Sequence, residues 1–216
     1  MTFANIKSWT LFLGSLLVAF VLWYVMFVEQ PFNFWLFMSF STLLLTAIAL
    51  LGTSGLWRQS EWHFKNVLLG VGSAVLLWVI FHAGHNLLIL LEDVLPNLLQ
   101  DRAQHLDSVY ANRGSLSRLV VGVLLAFPIG FGEEVFWRRF VQGFLQQRIS
   151  ALWAFILAVI LYTGVHIGTG NPMLLLAAFV CGLFWGAMYW KTQSVVPGLI
   201  SHMLWNPLIF IIFPVQ

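Results

Sequence analysis

Apolar residues run along this chain in long blocks separated by short polar breaks. The blocks fall at about 8 to 28, 34 to 51, 67 to 91, 118 to 147, 151 to 167, 173 to 190 and 195 to 213. A hydrocarbon core of about 30 Å takes roughly 20 apolar residues per helical crossing, so each block is close to one span. Lipid offers no partner for backbone N–H and C=O, and the blocks lack the period-two alternation of outer-membrane strands, so the pattern predicts helices. The expectation is an all-α, polytopic transmembrane helical bundle of about seven helices, with six or eight also compatible with the breaks.

Composition sharpens this. Of 216 residues 60% are hydrophobic and 8% charged, with a mean hydropathy of +0.89, whereas a soluble domain is about a quarter charged. The first block is followed by Glu29, Gln30 and Pro31 without a small-x-small cleavage pattern, and reads as a retained crossing. The one cysteine, Cys181, excludes an intramolecular disulfide and reads as a buried packing residue. Membrane lipid is the partner the composition implies; nothing points to nucleic acid, and oligomeric state is not legible.

The net charge of +2 is less informative than its placement. With the N-terminus in the cytoplasm, the inner side would hold Lys7, Arg58, Lys65, Arg138, Arg139, Arg148 and Lys191, and the outer side Arg102, Arg113 and Arg118. That asymmetry favours a cytoplasmic N-terminus. The polar stretch "QDRAQHLDSVYANRGSLSR" from Gln100 to Arg118 is the longest. It reads as a connecting loop or surface helix within a single membrane domain spanning 1–216, with N-terminal helices over 1–99, the connection over 100–117 and further helices over 118–216. "GTGNP" at 168 to 172 reads as a tight turn.

Against this background "GFGEEVFWRRF" at 130 to 140 stands out, with four charges inside an apolar block. A charge at mid-membrane costs roughly 2.5–3.5 kcal/mol on insertion scales and marks a bundle interior or a functional path. Glu134 and Arg138 are four apart and share a helix face, so they can pair. Glu133, turned about 100° away, has no arginine at that offset. An ion-pair knot alone would add little over apolar packing, and two other helices add polar groups: "YTGVH" puts Tyr162 and His166 on one face, and "HMLWN" does the same for His202 and Asn206. At about 1.5 Å per residue, Glu133, Glu134 and His166 lie roughly 20 Å from the turn joining their helices, with Asn206 about 17 Å and His202 about 10 Å along the last helix. They can meet at one level. Gly182 and Gly186 form a small-xxx-small pair for close helix packing.

These residues carry a resemblance. "EEVFWR" fits E-E-x-x-x-R, "YTGVH" nearly fits aromatic-x-x-x-His, and "HMLWN" fits H-x-x-x-N. In order and spacing the chain resembles the CPBP family, the CAAX-protease and bacteriocin-processing proteins also called Abi, across about 130 to 206. The second motif usually opens with phenylalanine and here opens with Tyr162, which raises the question of a hydrogen bond from its hydroxyl. The N-terminal half matches only in hydropathy. The resemblance implies an intramembrane endopeptidase; eukaryotic members trim prenylated CAAX tails, and bacterial members are linked to peptide processing or bacteriocin immunity.

Peptide hydrolysis needs a base for water, donors for the oxyanion and a proton for the leaving amine. Two adjacent carboxylates in a low-dielectric cavity cannot both ionise cheaply, which suits one of them to taking a proton near neutral pH. Glu133, less engaged by Arg138, is the expected base, with His166 orienting the water, Glu134 held by Arg138, and His202 with Asn206 as oxyanion donors; the two glutamates could exchange roles. The favoured reading has no cofactor, but Glu133, His166 and His202 could also make a three-ligand zinc set with an open position. The substrate expected is a membrane-associated peptide or lipid-modified protein.

Other signatures are weaker. No H-E-x-x-H or Gly-x-Gly-Asp is present. "GTSG" at 52 to 55, with Ser54 beside Trp57 and Arg58, reads as a connecting turn, and "HAGHN" at 82 to 86 as interhelical hydrogen bonding through His82, His85 and Asn86. His63 and His105 are expected in solvated loops, and the eleven tryptophans, Trp57, Trp62 and Trp190 among them, in an interfacial belt. Two other classes remain in play: a proton-coupled transporter using the same buried acids and histidines, and a non-catalytic immunity or scaffold protein of the same fold.

Overall fold

The computed structural model describes residues 3–92, 94–99, 101–111 and 116–215, without the side chains of residues 3–7, 97 and 98. The Lys7 side chain, Gln100 and Arg113, used above in the charge placement and the connection, lie outside the described residues. Helices dominate: α1 (Phe3–Tyr24, extended by a wider turn Val25–Glu29), α2 (Phe34–Gly52), α3 (Phe64–Glu92), α4 (Arg102–Ala111), α5 (Arg118–Gln146), α6 (Ala151–Gly164), α7 (Pro172–Thr192) and α8 (Val196–Ile212). There is no strand among the described residues. Among the described residues six helices are long and apolar enough to cross a membrane, and α8 is a shorter apolar helix. The chain is an all-α polytopic bundle, as the block pattern predicts.

Local chemistry sets the helix starts. Asn33 accepts from Leu36 N (3.2 Å), Ser117 from Val120 N (3.3 Å) and Ser150 from Trp153 N (3.4 Å), satisfying amides that no helical carbonyl can reach. Asn171 accepts from Met173 N and Leu174 N at 2.9 and 3.0 Å, with Pro172 in the first turn.

One expectation from spacing is corrected here. His105 sits in helix α4, because 102–111 forms nearly three turns lying against α7. The fourth predicted span, 118–147, is present as Arg118–Gln146 but carries a break: Phe127 adopts φ −144° and ψ 123° within α5. The following Pro128 lacks an N–H and pushes its predecessor out of the helical region. Beyond the break, Val135–Gln142 is wound with π-type hydrogen bonds, as in Gly143 N–H to Arg138 O.

One apolar core unites both halves of the chain, with Trp23 of α1, Leu45 of α2, Leu77 of α3, Trp137 of α5, Trp185 of α7 and Leu199 of α8 in it. On α1 the buried residues Phe12, Leu16, Ala19, Trp23 and Met26 recur at helical spacing, while Leu13, Leu17, Val21 and Tyr24 on the opposite face are more than half exposed. An apolar exposed face is what lipid requires. The tryptophan expectation is corrected in the same way: Trp57 and Trp62 do pair near helix ends, but Trp23, Trp137 and Trp185 are fully buried, and two of them hold site histidines.

The predicted close packing at Gly182 and Gly186 is present. A Cβ on Gly182 would lie 3.2 Å from the Tyr162 ring, and one on Gly186 3.0 Å from Phe155, so these positions let α6 approach α7. "GTGNP" is the α6–α7 turn, with Gly170 at φ +60°. His82 Nδ1 donates within its own helix, to Trp78 O at 3.0 Å, so the interhelical expectation for "HAGHN" fails at this nitrogen. His63 is exposed, and its Nδ1 meets Asn66 N at 3.4 Å at the start of α3.

Candidate active site

The broken and rewound α5 brings its acidic pair to the centre of the bundle. Glu134 is fully buried, and its Oε1 lies 3.3 Å from Arg138 Nη1 and 3.0 Å from His202 Nδ1. The arginine contact is ionic without hydrogen-bond alignment at Nη1; Nη2 donates to Cys181 O at 3.3 Å on α7. Four residues further along α5, Gln142 Nε2 donates to Gly186 O at 2.9 Å. Glu134, Arg138 and Gln142 thus form a polar stripe at four-residue spacing that fixes α5 to α7 and α8. Gln142 is a residue the sequence reading missed, although continuing the spacing of Glu134 and Arg138 by four would have found it.

Gly198 makes the fit between Glu134 and α8 possible, since a Cβ there would stand 2.7 Å from Glu134 Oε2. Gly198→Ala is therefore expected to destabilise the protein by about 1–3 kcal/mol, the usual cost of overpacking, readable as a lower melting temperature in detergent. A wild-type melting temperature in that variant would show that α8 is free to shift.

Glu133 points elsewhere. Its Oε2 accepts a hydrogen bond from the Tyr162 hydroxyl at 2.8 Å, which answers the question raised by tyrosine in the second motif. The Tyr162 ring also lies under the Arg138 guanidinium, 4.5 Å from its carbon, so Tyr162 touches both Glu133 and the arginine that pairs with Glu134.

His166 is held at both nitrogens. Nδ1 lies 2.9 Å from Tyr162 O and Nε2 lies 3.1 Å from Trp23 Nε1. A carbonyl only accepts and an indole N–H only donates, so these contacts assign Nδ1–H and an acceptor Nε2, the neutral tautomer. Trp23 was missed in the sequence, where a tryptophan in the first apolar block carries no mark of pairing with a histidine 143 positions away.

His202 stacks on Trp185, ring centres 3.7 Å apart and 18° from parallel, and Trp185 in turn donates to Ser201 Oγ at 3.1 Å. Asn206 Nδ2 donates to Leu125 O at 2.9 Å, at the start of the α5 break. One amide N–H of Asn206 and Nε2 of His202 remain without a described partner.

A cavity of about 240 Å³ collects these groups: Glu133, Tyr162, His166, His202 and Asn206 all line it, while Glu134 and Arg138 sit behind its wall. Cys181 lines it too, buried as expected. The cavity extends past Gln30, Ser108, Thr169 and Asn171. These lie at the end of the bundle opposite the start of α1, where Asn171 Nδ2 ties the α6–α7 turn to His105 O (2.8 Å) and Ser108 Oγ (3.0 Å) of α4.

The zinc set does not assemble. Among the described residues no group of three His, Cys, Asp or Glu side chains is placed to hold a metal ion. Both His166 nitrogens and His202 Nδ1 are committed to protein partners, so a shared metal would require breaking those contacts. The residues present do not fit the ion.

Fold and site together define a multi-pass membrane protein with an acid, two histidines and an asparagine around one intramembrane cavity. Residues 115–208, the segment that carries all three motifs, match the family model described as type II CAAX prenyl endopeptidase Rce1-like. No curated protein and no solved structure matches the chain.

Proposed function

We propose that the protein is an intramembrane endopeptidase in which Glu133 activates water for attack on a peptide bond of a membrane-associated substrate. The observation that carries this reading is the division of the two acids: Glu133 lines the cavity with His166, His202 and Asn206, while Glu134 is spent on Arg138 and His202. With Oε2 of Glu133 held by Tyr162, Oε1 takes the proton of a water. The water oxygen then bonds to the substrate carbonyl carbon, and charge moves to the carbonyl oxygen. The free Asn206 N–H and, as an imidazolium paired with Glu134, the Nε2–H of His202 stabilise that oxyanion. The proton on Glu133 passes to the amide nitrogen as the C–N bond breaks, and both products leave with atoms and charge balanced.

In this scheme His166 orients the water through Nε2, which must exchange the Trp23 N–H for a water O–H. Donors already in place support a reaction without a metal. The substrate proposed is a peptide or lipid-modified protein tail entering past Gln30 and Asn171. With the N-terminus in the cytoplasm, as the charge placement favours, that entrance faces the outer side.

The test is cleavage of isoprenoid-bearing C-terminal peptides and membrane-anchored peptides by the purified full chain in liposomes, with and without chelator. Cleavage unaffected by chelator is expected; proton-coupled flux without any proteolysis would replace the hydrolase by a carrier. Tyr162→Phe restores the residue usual in the second motif and is expected to lower hydrolysis by no more than about 150-fold, because a single hydrogen bond to a charged group contributes about 1.5–3 kcal/mol at most and the acid itself stays. Complete loss in that variant would make the hydroxyl part of the chemistry.

A further inference from the structure

At the opposite end of the bundle, where α1 starts and α5 ends, lies a second, polar basin of about 490 Å³. Arg58, Arg139 and Arg148 line it, and no aspartate or glutamate does. Among the described residues none of the three has a carboxylate within 4.0 Å; the ion pairs of the chain are Arg102–Glu92, Arg138–Glu134 and His202–Glu134. Glu61, the acid nearest in sequence, spends its carboxylate on Arg58 N, Ser194 Oγ and Val195 N, each at 2.9 Å.

The arginines are placed rather than splayed. Arg139 Nε donates to Gly55 O at 3.3 Å and its guanidinium also meets the Tyr189 hydroxyl on the basin wall, and Arg148 donates to Phe144 O at 2.8 Å and Ser8 Oγ at 3.1 Å. The Arg148 guanidinium carbon also lies over the Phe144 ring, 3.4 Å from its centre. A guanidinium has five N–H donors, so most of them remain for an acceptor in the basin. Gln146, also on its wall, buries an Nε2 that has no acceptor. Donors without acceptors and cations without anions call for an anion rich in oxygen, and arginine forks match phosphate oxygens in pairs.

A second feature selects the form in which that anion arrives. Leu11 lines the basin and also a groove of about 550 Å³ between α1 and α2, whose other walls are Thr10, Gly14, Ser15, Val18, Ile48 and Leu51. Leu51 on its wall is 78% exposed, and the groove is open at Gly14, where a Cβ would meet nothing within 4 Å. A cationic headgroup seat that adjoins an apolar track at Leu11 matches the two parts of an anionic glycerophospholipid.

We infer that Arg58, Arg139 and Arg148 bind the phosphoryl headgroup of an anionic phospholipid whose acyl chain lies in the α1–α2 groove beside Gly14. The lipid sits at the end remote from the cavity mouth, and its binding is independent of whether Glu133 hydrolyses peptides.

The test reads lipid retention, not proteolysis. Full chain extracted from phosphatidylcholine vesicles doped with phosphatidylglycerol is examined by native mass spectrometry. About tenfold enrichment of phosphatidylglycerol over phosphatidylcholine is expected on the protein. Each lost guanidinium should lower retention about fivefold, in Arg148→Gln and also in Arg58→Gln, whose exposed position spares the fold if Arg148 proves structural. Gly14→Leu fills open space and should lower retention of the lipid without lowering the melting temperature. Thermal protection by inorganic phosphate equal to that by phosphatidylglycerol would overturn the lipid assignment. Equal retention of the two lipids, or wild-type retention in Arg58→Gln and Gly14→Leu, would overturn the site.

Discussion

Glu133→Gln is expected to lower peptide hydrolysis by about 10²- to 10⁴-fold, the range a positioned general base supplies, while leaving the folded protein in the membrane. The change is close to isosteric. The new side-chain carbonyl can still accept the Tyr162 hydroxyl, which lies 2.8 Å from Oε2, so the wall of the cavity keeps its shape. What disappears is the capacity to take a proton from water and return it to the amine. Glu133 has no arginine or histidine within ion-pair distance among the described residues, and its loss therefore leaves no buried cation without a partner. The measurement is the cleavage rate in liposomes beside a melting curve in detergent. Hydrolysis within tenfold of wild type, with melting unchanged, would remove Glu133 from the base position.

How much of this was legible before the fold follows from the same residues. The helices and their approximate ends were readable because lipid leaves helix as the one way to satisfy an isolated apolar strand of backbone, and the polar residues of the site were readable because charge is costly there. The different surroundings of the two acids were also foreshadowed, since Glu134 and Arg138 share a face and Glu133 does not. The missing part is the apolar and small residues that shape the site. On α1, Trp23 faces the core and Leu17 faces lipid, yet both are apolar, so hydropathy carries no period that says which face turns inward. Gly198 has no signature apart from the 2.7 Å it leaves for a carboxylate on another helix. The break at Phe127 was announced by Pro128 but hidden by the continuity of the apolar block. The hydrogen bonds of His202 and Asn206 to Glu134 and Leu125 depend on helix rotation, which spacing along one helix does not determine.

The acid beside Glu133 should answer differently to substitution. Glu134→Ala is expected to destabilise the protein by about 3–5 kcal/mol, because removing one member of a buried ion pair leaves its partners uncompensated. Here two partners converge on one oxygen: Arg138 Nη1 and His202 Nδ1 both meet Oε1. Arg138 cannot shed its proton, and at 2% exposure it cannot reach water. It would remain tied to Cys181 O and the Tyr162 ring, but with its charge unbalanced, and His202 would lose the carboxylate that orients its Nε2 toward the cavity. Glu134→Gln separates charge from volume: its amide oxygen can still accept from His202, so it should fall between wild type and alanine in melting temperature. The ordering matters more than any single value. A large loss of stability in Glu134→Ala beside near-normal stability in Glu133→Gln would place the two adjacent acids in different jobs, one holding the helices and the other meeting the water. If the alanine variant melts like wild type and is inactive, Glu134 belongs to the chemistry, and the scaffold must rest on Gln142 and the close contacts of α8.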